Sequence, residues 1–274
     1  MRMGSFKSAV IGLEKTPLSP VLSAAATVAL TAIRREKTLI YKDKDGDWVN
    51  NQENATLYSR NYSTIRFSEV EAGIQDIWCH GGKIRHGDTV IDIGAGVGDD
   101  AVVLSRMVGP TGRVIAVEAH PGTFRCLSKT CAANNLSNVT PLNVAISDSQ
   151  GELLVEDGEN HLANRVGSTG NTSVRAITLD YLIETLGLWS VSVIKMNIEG
   201  AEVAALRGGC AAVGIAERWV ISCHDFMAHI PGYENSATWS DVVETLSSAG
   251  LSILPQRRDA RPWVPYYVYA SRNY

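Results

Sequence analysis

Three glycines at alternate positions, Gly94, Gly96 and Gly98, close the run Val90-Ile91-Asp92-Ile93-Gly94-Ala95-Gly96-Val97-Gly98, and a carboxylate, Glu118, closes the next apolar run 24 residues beyond Gly94. A buried strand that breaks into glycines lets a ligand approach the backbone closely. An acid about 20 residues further on is placed to accept ribose hydroxyls in a Rossmann-type unit. The ligand implied is nucleotide-like. A dinucleotide fingerprint would need glycine at position 99, where the chain has Asp99, so a pyrophosphate is disfavoured. A strand-to-helix turn with no ligand would use the same glycines, and it is Glu118 that favours a cofactor.

The elements that must position these residues follow from the pattern. From Gly87 onward apolar strands alternate with helices, as in a parallel sheet with right-handed crossovers. Strands are expected at 90–93, 113–117, 139–146, 191–196 and 219–222, a short extra one at 151–155, and two final ones in 251–254 and 264–270. Helices are expected at 101–108 and from Pro121 toward Asn135, at Leu179–Leu186, and after Ser240, read as an N-cap. The Gly-, Asn- and Ser-rich segment from Asp157 to Ser173 reads as loop. Before the sheet, 22–35 reads as a helix, Thr38–Tyr41 and Trp48–Val49 as a hairpin, and 62–84 as containing a further helix. The hairpin turn Asp43-Lys44-Asp45-Gly46-Asp47 opens like a calcium loop, but Trp48 and Asn54 stand where glycine and glutamate are required. We divide the chain into an N-terminal helical and hairpin extension, 1–86, packing near the substrate pocket, and a catalytic domain, 87–274.

Composition sets the class. With 274 residues, 45% hydrophobic and 20% charged, the chain has ordinary globular usage and can bury a large core. A net charge of −4 argues against nucleic acid as a partner. Five cysteines without a C-x-x-C pair argue against a disulfide framework or zinc ribbon and fit a reducing cytoplasm. The stretch 17–32 is apolar but too short and too interrupted for an integral membrane segment. The oligomeric state leaves no mark on the sequence.

The segment Val193-Ile194-Lys195-Met196-Asn197-Ile198-Glu199-Gly200-Ala201-Glu202, followed by Leu206-Arg207-Gly208-Gly209, resembles the signature of FkbM-type methyltransferases. The glycine turn resembles motif I of class I S-adenosylmethionine-dependent methyltransferases. Gly112–Pro121, Ala145-Ile146-Ser147-Asp148 with Gly151, and Thr178-Leu179-Asp180 match the same pattern in order, so the resemblance covers roughly residues 87–225. It implies an α/β, Rossmann-like fold: a seven-stranded, mostly parallel sheet with an antiparallel last strand and helices on both faces. It also implies S-adenosylmethionine as cofactor and methylation of a hydroxyl on a small metabolite, such as a polyketide-type product, or on a sugar of a glycan or glycolipid. Asn197 stands where the family commonly has aspartate.

Ligands of open α/β sheets bind outside the carboxyl ends of the strands, so Gly94, Glu118, Asp148, Asn197 and His224 should converge. The expected cofactor set is Asp92, Gly94, Ala95, Gly96, Gly98, Glu118, Ala119, Ser147 and Asp148, with Gly94, Gly96 and Gly98 admitting the methionine part, Glu118 the ribose, and the Ser147-Asp148 turn the adenine edge. The expected catalytic set is His224, Glu199 and Asn197. His224, with an ordinary pKa near 6.5, would be the base that removes the acceptor's proton. Glu199 would sit by the sulfonium or the acceptor, and Glu202 reads only as a helix-start carboxylate. Asn197, Glu199, His224 and Asp225 could together hold a divalent metal, which the loss of the common aspartate disfavours. The rival functions are a non-catalytic cofactor-binding domain and a nucleotide-dependent oxidoreductase.

Overall fold

The computed structural model describes residues 19–34, 36–155, 166–167, 171–231, 233 and 236–272. The chain opens with helix α1 (Ser19–Arg34) and three strands, β1 (Thr38–Lys42), β2 (Trp48–Gln52) and β3 (Thr56–Ser59), which form an antiparallel sheet in that order. Helix α2 (Phe67–Gly73) continues into a π-helical turn at Ile74–Trp78, so the helix expected within 62–84 ends before Gly81-Gly82.

The central sheet starts at β4 (Thr89–Ile93). Helix α3 (Asp99–Val108), β5 (Arg113–Val117), α4 (Pro121–Ala133) and β6 (Val139–Leu142) lead outward to one edge. The chain then returns through β11 (Val191–Met196) and β12 (Ala216–Ser222) on the other side of β4. The last two strands are β13 (Ser252–Ile253) and β14 (Tyr267–Ser271), and the sheet order is β13-β14-β12-β11-β4-β5-β6. β14 runs antiparallel between β12 and β13; β12, β11, β4, β5 and β6 are parallel. The seven-stranded, mostly parallel α/β sheet read from the sequence is therefore present. The order in which the chain adds strands reverses between β4 and β11, the switch point at which such sheets bind ligands.

Alternation along the strands produces two apolar layers. Ile91, Ile93, Ile115, Val117, Ile194, Trp219 and Ile221 face α5 (Leu179–Thr185), α6 (Glu202–Arg207), α7 (Cys210–Ile215) and α8 (Trp239–Ser248). Val90, Val114, Ala116, Val193 and Val220 face α2, α3 and α4. Strands apolar on both faces are what a sheet covered on both sides requires.

Two local readings change. The expected strand 139–146 breaks after Leu142; Ala145–Ser147 is a separate strand, β7, in a four-stranded side sheet ordered β7-β10-β8-β9, with β8 at Gly151–Val155, β9 at Val166–Gly167 and β10 at Thr172–Thr178. The expected loop 157–173 thus contains β9 and the start of β10; residues 156–165 and 168–170 lie outside the described residues. Helix α8 begins two residues earlier than a Ser240 cap would place it, with Thr238 at the cap position. The Asp225 carboxylate accepts from Thr238 N at 3.2 Å and Trp239 N at 3.1 Å, and so takes the helix's first free donors.

The N-terminal sheet is fastened to α4. Lys129 Nζ lies 2.6, 2.8 and 2.7 Å from the carboxylates of Asp43, Asp45 and Asp47, so the acidic turn encloses an ammonium of the chain itself. Arg125 adds a two-pronged pair to Asp47, with Nη2 2.6 Å from Oδ1 and Nε 2.9 Å from Oδ2. Backbone groups of Thr56 and Tyr58 bond the side chains of Asn134 and Thr130. Among the described residues no helix is long and apolar enough to cross a membrane.

Candidate functional site

A cleft of about 220 Å³ opens at the switch point, over the carboxyl ends of β4, β5 and β11. Its wall includes Gly94, Ala95, Gly96, Glu118, Ala119, Asn197 and Glu199, brought together from positions more than a hundred residues apart.

The glycine turn has two jobs. At Gly94, with φ 79°, a Cβ would fall 2.0 Å from the carbonyl oxygen of Asn197, so only glycine lets the end of β11 close against the end of β4. Gly96, also left-handed at φ 56°, has open space where a Cβ would go, and that space is the cleft. Gly98 lies outside the lining; its missing Cβ makes room for Leu127 of α4.

Glu118 is anchored at both oxygens, one accepting from Gly96 N at 3.0 Å and the other from His120 N at 2.9 Å. Burial pushes its carboxyl up to about 7, against the opposing pull of these two donors. Each oxygen keeps a further lone pair for a ligand hydroxyl. Asn143, where the expected strand breaks, donates from Nδ2 to the carbonyls of Glu118 and Ala119, both at 2.8 Å, and fixes the loop that carries them.

Asp92 is fully buried and lies beneath the cleft rather than in its wall. It sits opposite Lys195 in the β4–β11 register, and Lys195 Nζ donates to Asp92 Oδ1 at 2.6 Å, lies 3.3 Å from Asp100 and stands 4.5 Å over the Trp78 ring. The two carboxylates outweigh desolvation and hold the ammonium above the ordinary lysine range. Ser147 and Asp148, expected at an adenine edge, are also absent from the lining. The Ser147 carbonyl packs on Gly208, Asp148 is exposed, and the preceding Val144, Ala145 and Ile146 form the wall instead.

At the far end of the cleft stands an acid–imidazole group. Glu199 has φ 55°, a left-handed conformation that costs a non-glycine residue of order 1 kcal/mol. Its Oε1 lies 3.2 Å from His224 Nε2. On the other side of the ring, Glu202 Oε1 is 3.7 Å from Nδ1, an ion-pair distance beyond hydrogen-bonding range. Glu202 is more than the helix-start carboxylate expected: fully buried, it accepts from Gly200 N and from Thr238 Oγ1. Burial works against a charge on His224, but the two glutamates reverse this and raise the ring to about 9. The premise that His224 keeps its ordinary pKa therefore fails; the two glutamates favour the charged ring. Asn197 Oδ1 is buried on the cleft wall with no partner.

The alternative metal set does not assemble, because the Asp225 carboxylate is turned away to cap α8; among the described residues no three His, Cys, Asp or Glu side chains gather as a metal group. Residues that sequence reasoning missed are Asp99, Asp100, Lys195, Ile198 and Asn143. Asp99 lines the cleft with its carboxyl pushed up to about 7 by burial and by Asp100.

The sequence profile of the Methyltransferase FkbM domain matches residues 92–252, more than half of the chain. The chain belongs to the FkbM methyltransferase family. The profile of protein-L-isoaspartate(D-aspartate) O-methyltransferase also matches, over residues 21–159. Among curated relatives, this FkbM methyltransferase is 25% identical over 139 residues to the hexuronic acid methyltransferase AglP of Haloferax volcanii, covering 50% of this chain and 56% of AglP. It is 32% identical over 82 residues to the 23S rRNA (uracil(1939)-C(5))-methyltransferase RlmD of Acinetobacter baylyi, covering 28% of this chain and 18% of RlmD. The chain thus spans about half or less of the curated relatives it matches. Among solved structures, Aeropyrum pernix fibrillarin with bound S-adenosyl-L-methionine superposes with a TM-score of 0.48 at 13% identity, over 85% of this chain and 98% of that one.

The cofactor of this FkbM methyltransferase is S-adenosylmethionine, and the cleft suits it chemically. Gly96 leaves a cradle, Glu118 offers acceptors for hydroxyls, and the orphaned Asn197 Oδ1 lacks a donor such as an ammonium. The oxidoreductase alternative falls with the family match.

Proposed function

We propose that this methyltransferase methylates a hydroxyl oxygen of a sugar acceptor, with Glu199 accepting the hydroxyl proton and His224 holding Glu199 in place. The observation that carries this reading is the Glu199 carboxylate on the cleft wall, 3.2 Å from an imidazole whose side chain is only 7% exposed. A relative named for hexuronic acids supports a sugar as the acceptor.

S-adenosylmethionine, when bound, supplies a methyl group already activated by a positively charged sulfur. The chain's residues have to align the acceptor and take its proton. Glu118 would accept from the ribose hydroxyls and Asn197 Oδ1 from the ammonium, and Val144, Ala145 and Ile146 would offer an apolar face to the adenine. The expected order of proton-handling residues changes: a ring raised to about 9 is a poor acceptor at neutral pH, whereas Glu199 lies between that cation and the cleft. The same Glu199 that meets His224 has a left-handed backbone, a strain of the kind that collects at functional sites.

The test is transfer of labelled methyl from S-adenosylmethionine to hexuronic-acid glycosides, neutral glycosides, phenols and RNA in parallel. Glu199→Gln should lower turnover on the best acceptor by about 10²–10⁴ while cofactor affinity stays the same. Labelling of RNA alone, or a Glu199→Gln variant with normal turnover, would overturn the reading.

A further inference from the structure

Beyond the acid–imidazole group the carboxyl end of the sheet carries a run of rings with no role so far. The His224 and Phe226 ring centroids are 5.7 Å apart at 40°, and those of Phe226 and Tyr266 are 6.4 Å apart at 34°. Phe226 and Tyr266 are half-buried although Ile221, Cys223, Val264 and Val268 around them in sequence are buried. Among the described residues Phe226 belongs to none of the apolar clusters, so core packing does not account for it there, while Tyr266 packs on the edge of the larger one.

Both rings are held on rigid backbone. Phe226 lies in a 3₁₀ turn, Asp225–Met227, closed by Met227 N on the His224 carbonyl at 2.8 Å and tethered through Asp225 to α8. Tyr266 ends a second 3₁₀ turn, Val264–Tyr266, and its carbonyl accepts from Cys223 N at 3.0 Å, which ties it to the residue before His224. Successive planes within 40° and a spacing of about 6 Å leave no slot for a flat ring between Phe226 and Tyr266; an acceptor has to lie across them.

We propose that Phe226 and Tyr266 form the acceptor platform, on which a pyranose lies with its C–H face against the rings and one hydroxyl directed at Glu199. The proposal rests on the sugar-hydroxyl reading above. The negative face of an aromatic ring meets the weakly positive axial hydrogens of a sugar, and the equatorial hydroxyls remain free for the polar end of the run. Phe226 and Tyr266 are thus positioning residues and take no part in proton transfer.

The test uses the full chain with saturating S-adenosylmethionine, and methyl β-D-glucuronide, methyl β-D-glucoside and catechol as varied probes. Phe226→Ala and Tyr266→Leu should each raise the glycoside KM about tenfold with a much smaller change in kcat. Cofactor Kd should stay within about twofold in both, which shows that the fold is kept. Phe226→Trp and Tyr266→Phe should recover most of the lost affinity, because a ring face is what is needed. Saturation-transfer NMR on the wild type should label the sugar ring protons, and its failure to do so would overturn the platform. Glycosides turned over with the same KM by Phe226→Ala as by wild type would also overturn it and leave the sugar reading standing. Methylation of catechol without turnover of either glycoside would overturn the sugar reading and the platform together.

Discussion

Replacing His224 by glutamine removes the one cation between Glu199 and Glu202, and the effect should depend on pH in a defined way. The folded-state value of about 9, against 6.5 for a free imidazole, corresponds to about 3 kcal/mol of stabilisation from the charged ring. A histidine raised on folding contributes fully below its unfolded pKa and loses that contribution as pH rises through its folded value. The contribution is thus complete below about pH 6.5, declines by about 1.4 kcal/mol per pH unit, and is gone above about pH 9. Urea melts of wild type and His224→Gln at about pH 6, 7.5 and 9.5 should give stability gaps of about 3, about 2 and less than about 1 kcal/mol. Activity adds an independent reading. If the imidazolium holds Glu199 in place, kcat/KM should fall as pH rises through about 9; if the neutral ring were the base, it should climb through the same value. A stability gap that is equal at all three pH values, or an activity limb that rises near pH 9, would refute the account of this group.

Glu118→Ala should weaken S-adenosylmethionine binding by about ten- to a hundredfold in calorimetry, the loss of charge-assisted hydrogen bonds; in the wild type affinity should fall as pH drops below about 7, where that carboxyl takes a proton. Gly94→Ala should fail to fold or lose several kcal/mol by urea melt, because its Cβ would meet the Asn197 carbonyl, whereas Gly96→Ala should cost about 1 kcal/mol and act chiefly on cofactor Kd. Activity should survive exhaustive chelation, because Asp225 is committed to the α8 cap; abolition by chelator with restoration by magnesium would overturn this. Lys129→Met should lower the urea midpoint and speed proteolysis of the N-terminal sheet, more so at low salt.

The strands were legible as apolar runs, β4 and β5 most clearly because Asp88, Gly94, Gly112 and Glu118 bound them, and the glycine turn with Glu118 located the cleft. What the sequence hid depends on register. Lys195 reads as one polar residue in an apolar strand until β11 is set against β4 and brings it opposite Asp92, 103 residues away. Asp92 itself looked like a cofactor contact because it precedes the glycines, yet its place in the strand alternation turns it under the sheet. The strand break at Asn143 and the α8 start at Trp239 were missed for a related reason: each is set by a side-chain bond to a distant loop, which local propensity does not record. His224 was found by its place at a strand end, while its raised pKa comes from glutamates on a different segment.

The docking of the N-terminal sheet on α4 also sets an order of assembly. Residues 38–62 hold the small core of Ile40, Trp48 and Tyr62, while the partners that fasten the strands, Arg125, Lys129, Thr130 and Asn134, lie 72 to 86 residues later. At about 5–20 residues per second, the three strands wait on the order of several seconds with their α4-facing side uncovered. Until Lys129 is available the three carboxylates of the turn have only Lys44 among them, and its arrival turns the same charges into a clasp.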